Sequence, residues 1–137
     1  MASVLKVDDL RGNTASGNIT ITSEGGAATM QLQQGVAKAW MNFNGRNTST
    51  ILDSFNYSSM VDNGVGDYTL TVTNAMNNSN YSHSGTAGWS VETLINISPA
   101  HNSTAVTTTV TRYAVTYQNS FSFDSNKIST SLHGDLA

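Results

Sequence analysis

Short alternating segments broken by Asn, Gly and Asp constrain the fold of this 137-residue chain more than any other feature. In residues 68–73, apolar side chains alternate with threonine, which is the two-residue period of a strand with one buried face. Similar alternation covers 39–43, 51–57, 89–97, 104–117, 121–123 and 128–132, and Asp62-Asn63-Gly64 reads as a turn. We therefore expect an all-β fold, an antiparallel β-sandwich of jelly-roll-like form.

Polarity in this chain comes from neutral side chains. The sequence holds 18 Ser, 18 Thr and 15 Asn, whereas charged residues are only 11% of the total. Threonine favours strands, and Asn and Ser favour turns, so the composition agrees with a chain of many short strands. A helical protein of this size would use Glu, Lys and Leu more heavily.

Charge and cysteine content exclude several classes of function. The formal net charge is −3, and the six Lys and Arg residues are scattered without a basic stripe, so we expect no nucleic-acid partner. No apolar run approaches the length of about 20 residues that spans a membrane, so we expect no membrane insertion. The chain has no cysteine, which rules out disulfides and thiolate metal sites.

Residues 1–36 differ from the rest of the chain because they contain no aromatic residue. Their alternation at 18–22 and 28–32, around a turn at Glu24-Gly25-Gly26, predicts two short strands with too little apolar bulk for a separate core. We expect an N-terminal β stem or docking arm at 1–36 that becomes ordered by oligomerisation, with a flexible tail as the alternative. Residues 37–137 are expected to form the sandwich head.

Residues that carry catalytic chemistry do not form a recognisable set. Asp53, Asp67, Glu92 and Asp124 are the carboxylates that a glycosidase would need, but their spacing pairs no two of them. The 18 serines include no nucleophile motif of the G-x-S-x-G type. We therefore expect no enzymatic activity.

Metal binding is also not expected. The three histidines, His83, His101 and His133, are far apart and fit solvated loop positions. Asp62 and Asp67 could hold Ca²⁺, but the order of an EF-hand is absent, and Asp side chains that cap a hairpin turn explain them better. No cofactor is expected.

A loop of small polar residues at 77–88 is the predicted recognition surface. Aromatic rings that stack on sugars, framed by amide side chains, are suited to glycan binding on loops above a rigid sheet. Tyr81 and Trp89 fit core or interface anchors as well. The candidate receptor contacts are Tyr81, His83, Trp89, Asn102 and Asn119.

The middle third of the chain carries a more specific pattern. It reads KAWMNFNG at 38–45, DSFNYSS at 53–59 and DNGVGDYT at 62–69. This run resembles a domain found at the ends of bacteriophage tail fibres and related virion fibre proteins, many from marine and cyanobacterial phages. The resemblance implies a homotrimeric virion surface protein, and it makes Trp40, Phe43, Phe55 and Tyr68 scaffold or subunit-interface residues.

The expected function is attachment to a host cell surface, through a glycan or protein receptor, by a tail fibre tip or small fibre on the virion. Residues 1–36 would then contact other virion proteins. Two other functions stay open: a structural or decoration protein of the capsid or tail, which a short chain favours, and a secreted lectin-like carbohydrate-binding module.

Overall fold

The computed structural model describes residues 4–15, 18–23, 25–26, 28–88, 95–99, 106–117 and 121–137. Within these ranges the chain forms β-strands and one short helix, α1 (Leu32–Gly35), and every strand pairing between them is antiparallel. The predicted all-β class is therefore confirmed. The strands are β1 (Thr20–Thr22), β2 (Thr29–Gln31), β3 (Ala39–Asn44), β4 (Thr50–Phe55), β5 (Tyr57–Gly64), β6 (Asp67–Val72), β7 (Ser82–Gly88), β8 (Ile95–Pro99), β9 (Val110–Tyr117), β10 (Phe121–Ser122) and β11 (Lys127–His133).

The backbone divides into two compact units, Met1–Val36 and Ala37–Ala137. In the first unit, β1 and β2 form a two-stranded antiparallel ribbon whose turn is closed by a 2.8 Å hydrogen bond from Gly26 N to Ser23 O. All side chains of both strands are exposed, whereas Ile19 and Leu32 beside them are partly buried. The first unit thus has backbone pairing without a hydrophobic core among its described residues.

Two sheets form the second unit. Sheet I contains four strands in the order β4-β3-β11-β7. Sheet II contains β5, β6 and β9 side by side, with β8 on the far edge of β9 and β10 pairing beyond the end of β6. Every neighbour in sheet I except the β3–β4 pair is distant in sequence, so the sheet depends on non-local pairing.

The core lies between the two sheets. Alternate residues of β3 in sheet I and of β6 in sheet II point inward, and the rings of Phe43 and Tyr68 meet edge to face with centroids 5.1 Å apart. Burial of each large apolar side chain of this kind stabilises the fold by about 1.5–3 kcal/mol. The buried cluster consists of Ala39, Met41, Phe43, Tyr57, Tyr68, Leu70, Val72, Met76, Tyr81, Tyr113, Val115, Ile128 and Leu132.

The predicted continuous face along 51–57 is wrong, because two local irregularities interrupt it. A bulge in the β3–β4 pair sets Asp53 opposite outward-facing Asn42 but Ile51 opposite buried Phe43. Asn56 then adopts a left-handed conformation with φ 57°, and the chain passes from β4 in sheet I to β5 in sheet II. Asn tolerates this conformation better than most residues, so it serves as the corner.

The expected loop at 77–88 contains a strand, β7, along Ser82–Gly88. Its sequence, SHSGTAG, has low strand propensity, but seven residues pair with β11. Gly85 leaves space for Ile97 of β8, because a Cβ at Gly85 would stand 3.0 Å from Ile97 Cγ2. Tertiary pairing, which local propensity does not report, therefore decides the structure of this segment.

The predicted hairpin between β5 and β6 is present, but its turn falls at Val65–Gly66, later than Asp62-Asn63-Gly64. Gly64 and Gly66 both have positive φ, 135° and 68°. Asp62 Oδ1 accepts a 2.9 Å hydrogen bond from Gly64 N, so Asp62 does cap the backbone near the turn, as the sequence predicts.

Candidate functional site

Four residues from the N-F-N-G and G-D-Y-T segments and the loop after β10 meet inside the sandwich. The Tyr68 hydroxyl lies 2.7 Å from Asp124 Oδ1 and 3.0 Å from Gly45 O. Gly66 N donates to the same Asp124 oxygen at 2.7 Å. Burial raises the pKa of Tyr68 far above its ordinary value, and the Asp124 carboxylate raises it further, so Tyr68 remains a protonated donor. This arrangement is a structural junction.

Gly45 allows that junction to close. A Cβ at this position would overlap the Tyr68 hydroxyl, so only glycine permits the approach. Gly66 has a similar role, since a Cβ there would stand 2.6 Å from Phe123 N. Gly45 and Gly66 are therefore packing residues at this junction.

The four predicted scaffold residues separate into two pairs. Phe43 and Tyr68 are fully buried. Trp40 and Phe55 are cross-strand partners on the outward face of sheet I, with 37% and 53% of their surface exposed. The second pair therefore offers aromatic surface to solvent, and no described contact assigns it to a subunit interface.

Beside Trp40, the outward face of sheet I forms an open groove of about 450 Å³. Small side chains make its floor, because Ser131 and Ser84 follow Trp40 in one cross-strand row. The next row runs from Asp53 on β4 through three groove residues. We call this site the sheet I groove; it is lined by Trp40, Met41, Asn42, Ser84, Gly85, Thr86, Ser129, Thr130 and Ser131.

Most of the surface that lines the sheet I groove is apolar, but hydroxyl and amide groups lie within it, and all nine lining residues are uncharged. The Ser84 and Ser131 hydroxyl oxygens are 2.6 Å apart, and Ser129 Oγ donates to Asn42 Oδ1 at 3.4 Å. Each hydroxyl oxygen still has a lone pair that can accept a hydrogen bond from a ligand. The indole of Trp40 supplies an apolar face at the same place. The site can therefore hold a neutral molecule that has many hydroxyl groups and a flat apolar face.

Tyr81 and His83, two of the predicted receptor contacts, are built into the sandwich. Tyr81 is 7% exposed, and its hydroxyl donates to Thr107 O at 2.7 Å. Burial raises the pKa of Tyr81 to about 12. His83 Nδ1 lies 3.1 Å from the Tyr113 hydroxyl, and burial lowers the pKa of His83. The two rings have little surface to offer a ligand; they anchor the start of β7 to β9.

Trp89, Asn102 and Asn119, the other predicted receptor contacts, lie outside the described residues, as do His101 and Glu92. His133, the remaining histidine, lies at the end of β11. Whether the five predicted contacts form one site therefore stays a prediction.

The carboxylates considered for Ca²⁺ are engaged with protein groups. Asp62 accepts a hydrogen bond from Ser49 Oγ, and Asp67 forms a two-point ion pair with the Arg112 guanidinium, with Nε 2.7 Å from Oδ1. That hydrogen-bonded contact lowers the pKa of Asp67. Among the described residues, no group of three His, Cys, Asp or Glu side chains is placed to hold a metal ion.

The sheet I groove was missed at the level of sequence, although part of its signal was present. Alternation in β3 correctly predicts that Trp40 and Asn42 face away from the buried residues. The alternation at 128–132 likewise sets Ser129 and Ser131 on one face. What the sequence did not supply was the pairing of β3, β11 and β7, which joins these residues into a single surface.

Comparisons with protein-family models, with curated proteins and with solved structures find no match to this chain. Among the described residues, no helix is both long and apolar enough to cross a membrane.

Proposed function

We propose that residues 37–137 form a carbohydrate-binding attachment domain and that the chain is a bacteriophage fibre protein displayed on the virion surface. In this role the domain holds a host-surface glycan in the sheet I groove and performs no catalytic step. The resemblance of the 38–69 segment to phage fibre domains supports the virion assignment, and the sandwich fold provides a rigid scaffold for the groove.

The observation that carries the proposal is the combination of an exposed indole with a floor of neutral hydroxyl and amide groups. A pyranose ring presents one face of C–H groups and a rim of hydroxyls, so it matches an aromatic face bordered by hydrogen-bonding side chains. The volume of about 450 Å³ lies within the range of about 300–1,000 Å³ typical of small-molecule sites. A nucleic acid or an acidic peptide would find no cationic side chain among the groove residues.

The first unit supports a second part of the proposal, in which residues 1–36 dock onto other virion proteins and assist trimer formation. Seven of its described apolar side chains are exposed, including Leu5 at 76% and Val4 at 75%. Contact with a partner protein would cover them. The same feature favours the decoration-protein alternative, in which residues 1–36 bind other virion proteins and the groove binds no ligand.

Binding to a panel of immobilised glycans and to host cells tests the proposal. Trp40→Ala should weaken glycan binding by about 10- to 50-fold, because a desolvated aromatic contact contributes about 1.4–2.3 kcal/mol. Phe121→Ala is the matched control: Phe121 is 66% exposed on sheet II and does not line the groove. We expect its affinity to equal that of the wild type.

The outcomes separate the two assignments. Attachment through the groove is supported if binding is lost when cell-surface glycans are stripped, and if Trp40→Ala loses binding while Phe121→Ala keeps it. Equal binding by both variants refutes the groove as the site, and no binding to any glycan or cell favours the decoration protein. Light scattering addresses the trimer separately, with three times the 14.5 kDa chain mass expected.

A further inference from the structure

We propose that the sheet I groove continues onto the edge strand β4, where Phe55 and Asp53 form a second sugar subsite. The ligand is then a neutral oligosaccharide of at least two sugars that lies across the strands of sheet I. This inference rests on the proposed function, because it assigns a chain length, a direction and a charge to the glycan of that same site. It makes Phe55 and Asp53 specificity-determining residues beyond the groove lining.

The side chains that define the extended site lie in one cross-strand row on the outward face of sheet I. Phe55 of β4 is opposite Trp40 of β3, and the row continues through Ser131 of β11 to Ser84 of β7. Neighbouring strands lie about 4.7–4.9 Å apart, so these four positions extend over about 14–15 Å. A single pyranose ring is shorter than this row and would leave one end of it uncovered.

The aromatic side chains stand together at the β4 end of the row. Directly opposite residues in an antiparallel pair have Cβ atoms about 4.5–5.5 Å apart, so Trp40 and Phe55 are neighbours on one face. Phe55 is 53% exposed, and β4 is the edge strand of sheet I among the described strands. At the other end β7 lines the groove with Ser84, Gly85 and Thr86, which have no ring. A sugar stacked on Trp40 therefore has a second aromatic face beside it only towards β4.

Asp53 supplies the hydrogen-bonding part of the second subsite. It lies two residues before Phe55, so both side chains project from the same face of β4, and it is opposite Asn42 of the groove lining. Asp53 is exposed, and its Oδ1 accepts a hydrogen bond from Ser54 N at 2.8 Å. A carboxylate has about four acceptor positions, so Asp53 can also accept hydrogen bonds from sugar hydroxyls. An aromatic face beside a charged acceptor suits a pyranose ring with its rim of hydroxyls.

The charges around the extended site favour a neutral oligosaccharide. All nine groove residues are uncharged, so a carboxylate or sulfate on the ligand would find no cationic side chain among them. At the β4 end such a group would approach the Asp53 carboxylate, and like charges repel. We therefore expect neutral sugars to bind more tightly than uronic acids or sulfated sugars of the same chain length.

The test measures affinity against chain length by titration calorimetry on the full chain. The probes are the monosaccharide to hexasaccharide fragments of the neutral glycan that binds best on the panel, and the same fragments with their primary hydroxyls oxidised to carboxylates. In the wild type, the disaccharide or trisaccharide should bind about 10-fold more tightly than the monosaccharide, because it adds the contacts of the second subsite. The oxidised fragments should bind more weakly than the neutral ones.

Two variants assign these effects to their residues. Phe55→Ala should reduce the gain with chain length to about 2-fold, since the second stacking face is lost. Phe121→Ala, the matched truncation of an exposed phenylalanine on sheet II, should keep the full gain. Asp53→Asn keeps the shape of the side chain and removes its charge, so the preference for neutral over oxidised fragments should narrow by about 2- to 5-fold.

The outcomes distinguish this inference from the proposed function. If no fragment binds the wild type, both are refuted. If the monosaccharide binds as tightly as the longer fragments, or if Phe55→Ala keeps the full gain, the second subsite is refuted while the groove remains the proposed site. Light scattering gives one further outcome: a lower particle mass for Phe55→Ala than for the wild type would assign Phe55 to a subunit interface and overturn the inference.

Discussion

Replacement of Tyr68 by phenylalanine tests whether the junction of Gly45, Tyr68 and Asp124 holds the two sheets together. The change removes one hydroxyl from a fully buried ring and leaves the packing against Phe43 intact. Asp124 keeps another hydrogen bond, since it still accepts from Gly66 N at 2.7 Å. The loss is therefore that of one hydrogen bond to a carboxylate that retains a second donor.

A hydrogen bond to a charged group contributes about 1.5–3 kcal/mol, so the free energy of unfolding should fall by that amount. For a chain of this length, each kcal/mol lowers Tm by about 3–5 °C, which gives a decrease of about 5–15 °C. Urea unfolding followed by tryptophan fluorescence measures the free energy directly. Tyr81→Phe is the matched comparison, because that buried hydroxyl donates to a neutral carbonyl, Thr107 O, at 2.7 Å.

Tyr81→Phe should cost about 0.5–1.5 kcal/mol, the usual net value of a neutral hydrogen bond. The reasoning is refuted if Tyr68→Phe is no more destabilising than Tyr81→Phe. Asp124→Ala supplies a second check. If the carboxylate is the important partner, Tyr68→Phe should lower the free energy of unfolding clearly less in the Asp124→Ala variant than in the wild type.

Three further predictions concern packing and pH. Gly45→Ala should destabilise the fold by about 1–3 kcal/mol in the same urea assay, because the new methyl group overlaps the Tyr68 hydroxyl; an unchanged midpoint would show that the junction can open without cost. Burial lowers the pKa of His83, so the folded state holds it neutral while the unfolded chain takes up a proton near pH 6.5. Stability should therefore fall as pH drops below about 6.5, and His83→Gln should flatten that slope in thermal melts from pH 7.5 to 5. The hydrogen-bonded contact with Arg112 lowers the pKa of Asp67, so its stabilising effect is complete above about pH 4 and is lost at lower pH; Arg112→Ala should weaken this acid dependence, and an identical acid profile would contradict it.

Local alternation predicted most of the core, because strand periodicity needs no knowledge of partners. Tyr68, Leu70 and Val72 form the expected inward row, and Met41 and Phe43 do the same on β3. The predictions failed where the structure depends on contacts distant in sequence. β7 is a strand because β11 pairs with it and Ile97 fills the space at Gly85, and neither partner is visible in the local sequence.

The candidate site shows the same limit from another side. Trp40 was correctly placed away from the buried row, yet the resemblance to fibre domains assigned it to the scaffold or a subunit interface. Ser84 and Ser131 are unremarkable serines until β7 and β11 place them in one row with Trp40. A binding surface made of small polar side chains on three strands has no signature of its own, so it becomes visible only once the sheet is assembled.

In the proposed function, the buried face of sheet I serves folding and the outward face serves binding, so separate substitutions can test the attachment hypothesis. Ser131 faces the groove, whereas Thr130 and Leu132, its immediate neighbours, are buried. Ser131→Arg should fill the groove and abolish glycan binding. Its free energy of unfolding should stay within about 0.5 kcal/mol of the wild-type value, as expected for a surface substitution. Leu132→Ala, one residue later, removes packing at a fully buried position and should cost about 2–5 kcal/mol. Below its melting temperature Leu132→Ala should still bind glycan, because the groove residues are unchanged. If Ser131→Arg keeps full affinity, the ligand does not occupy the groove, and the function must reside on another surface.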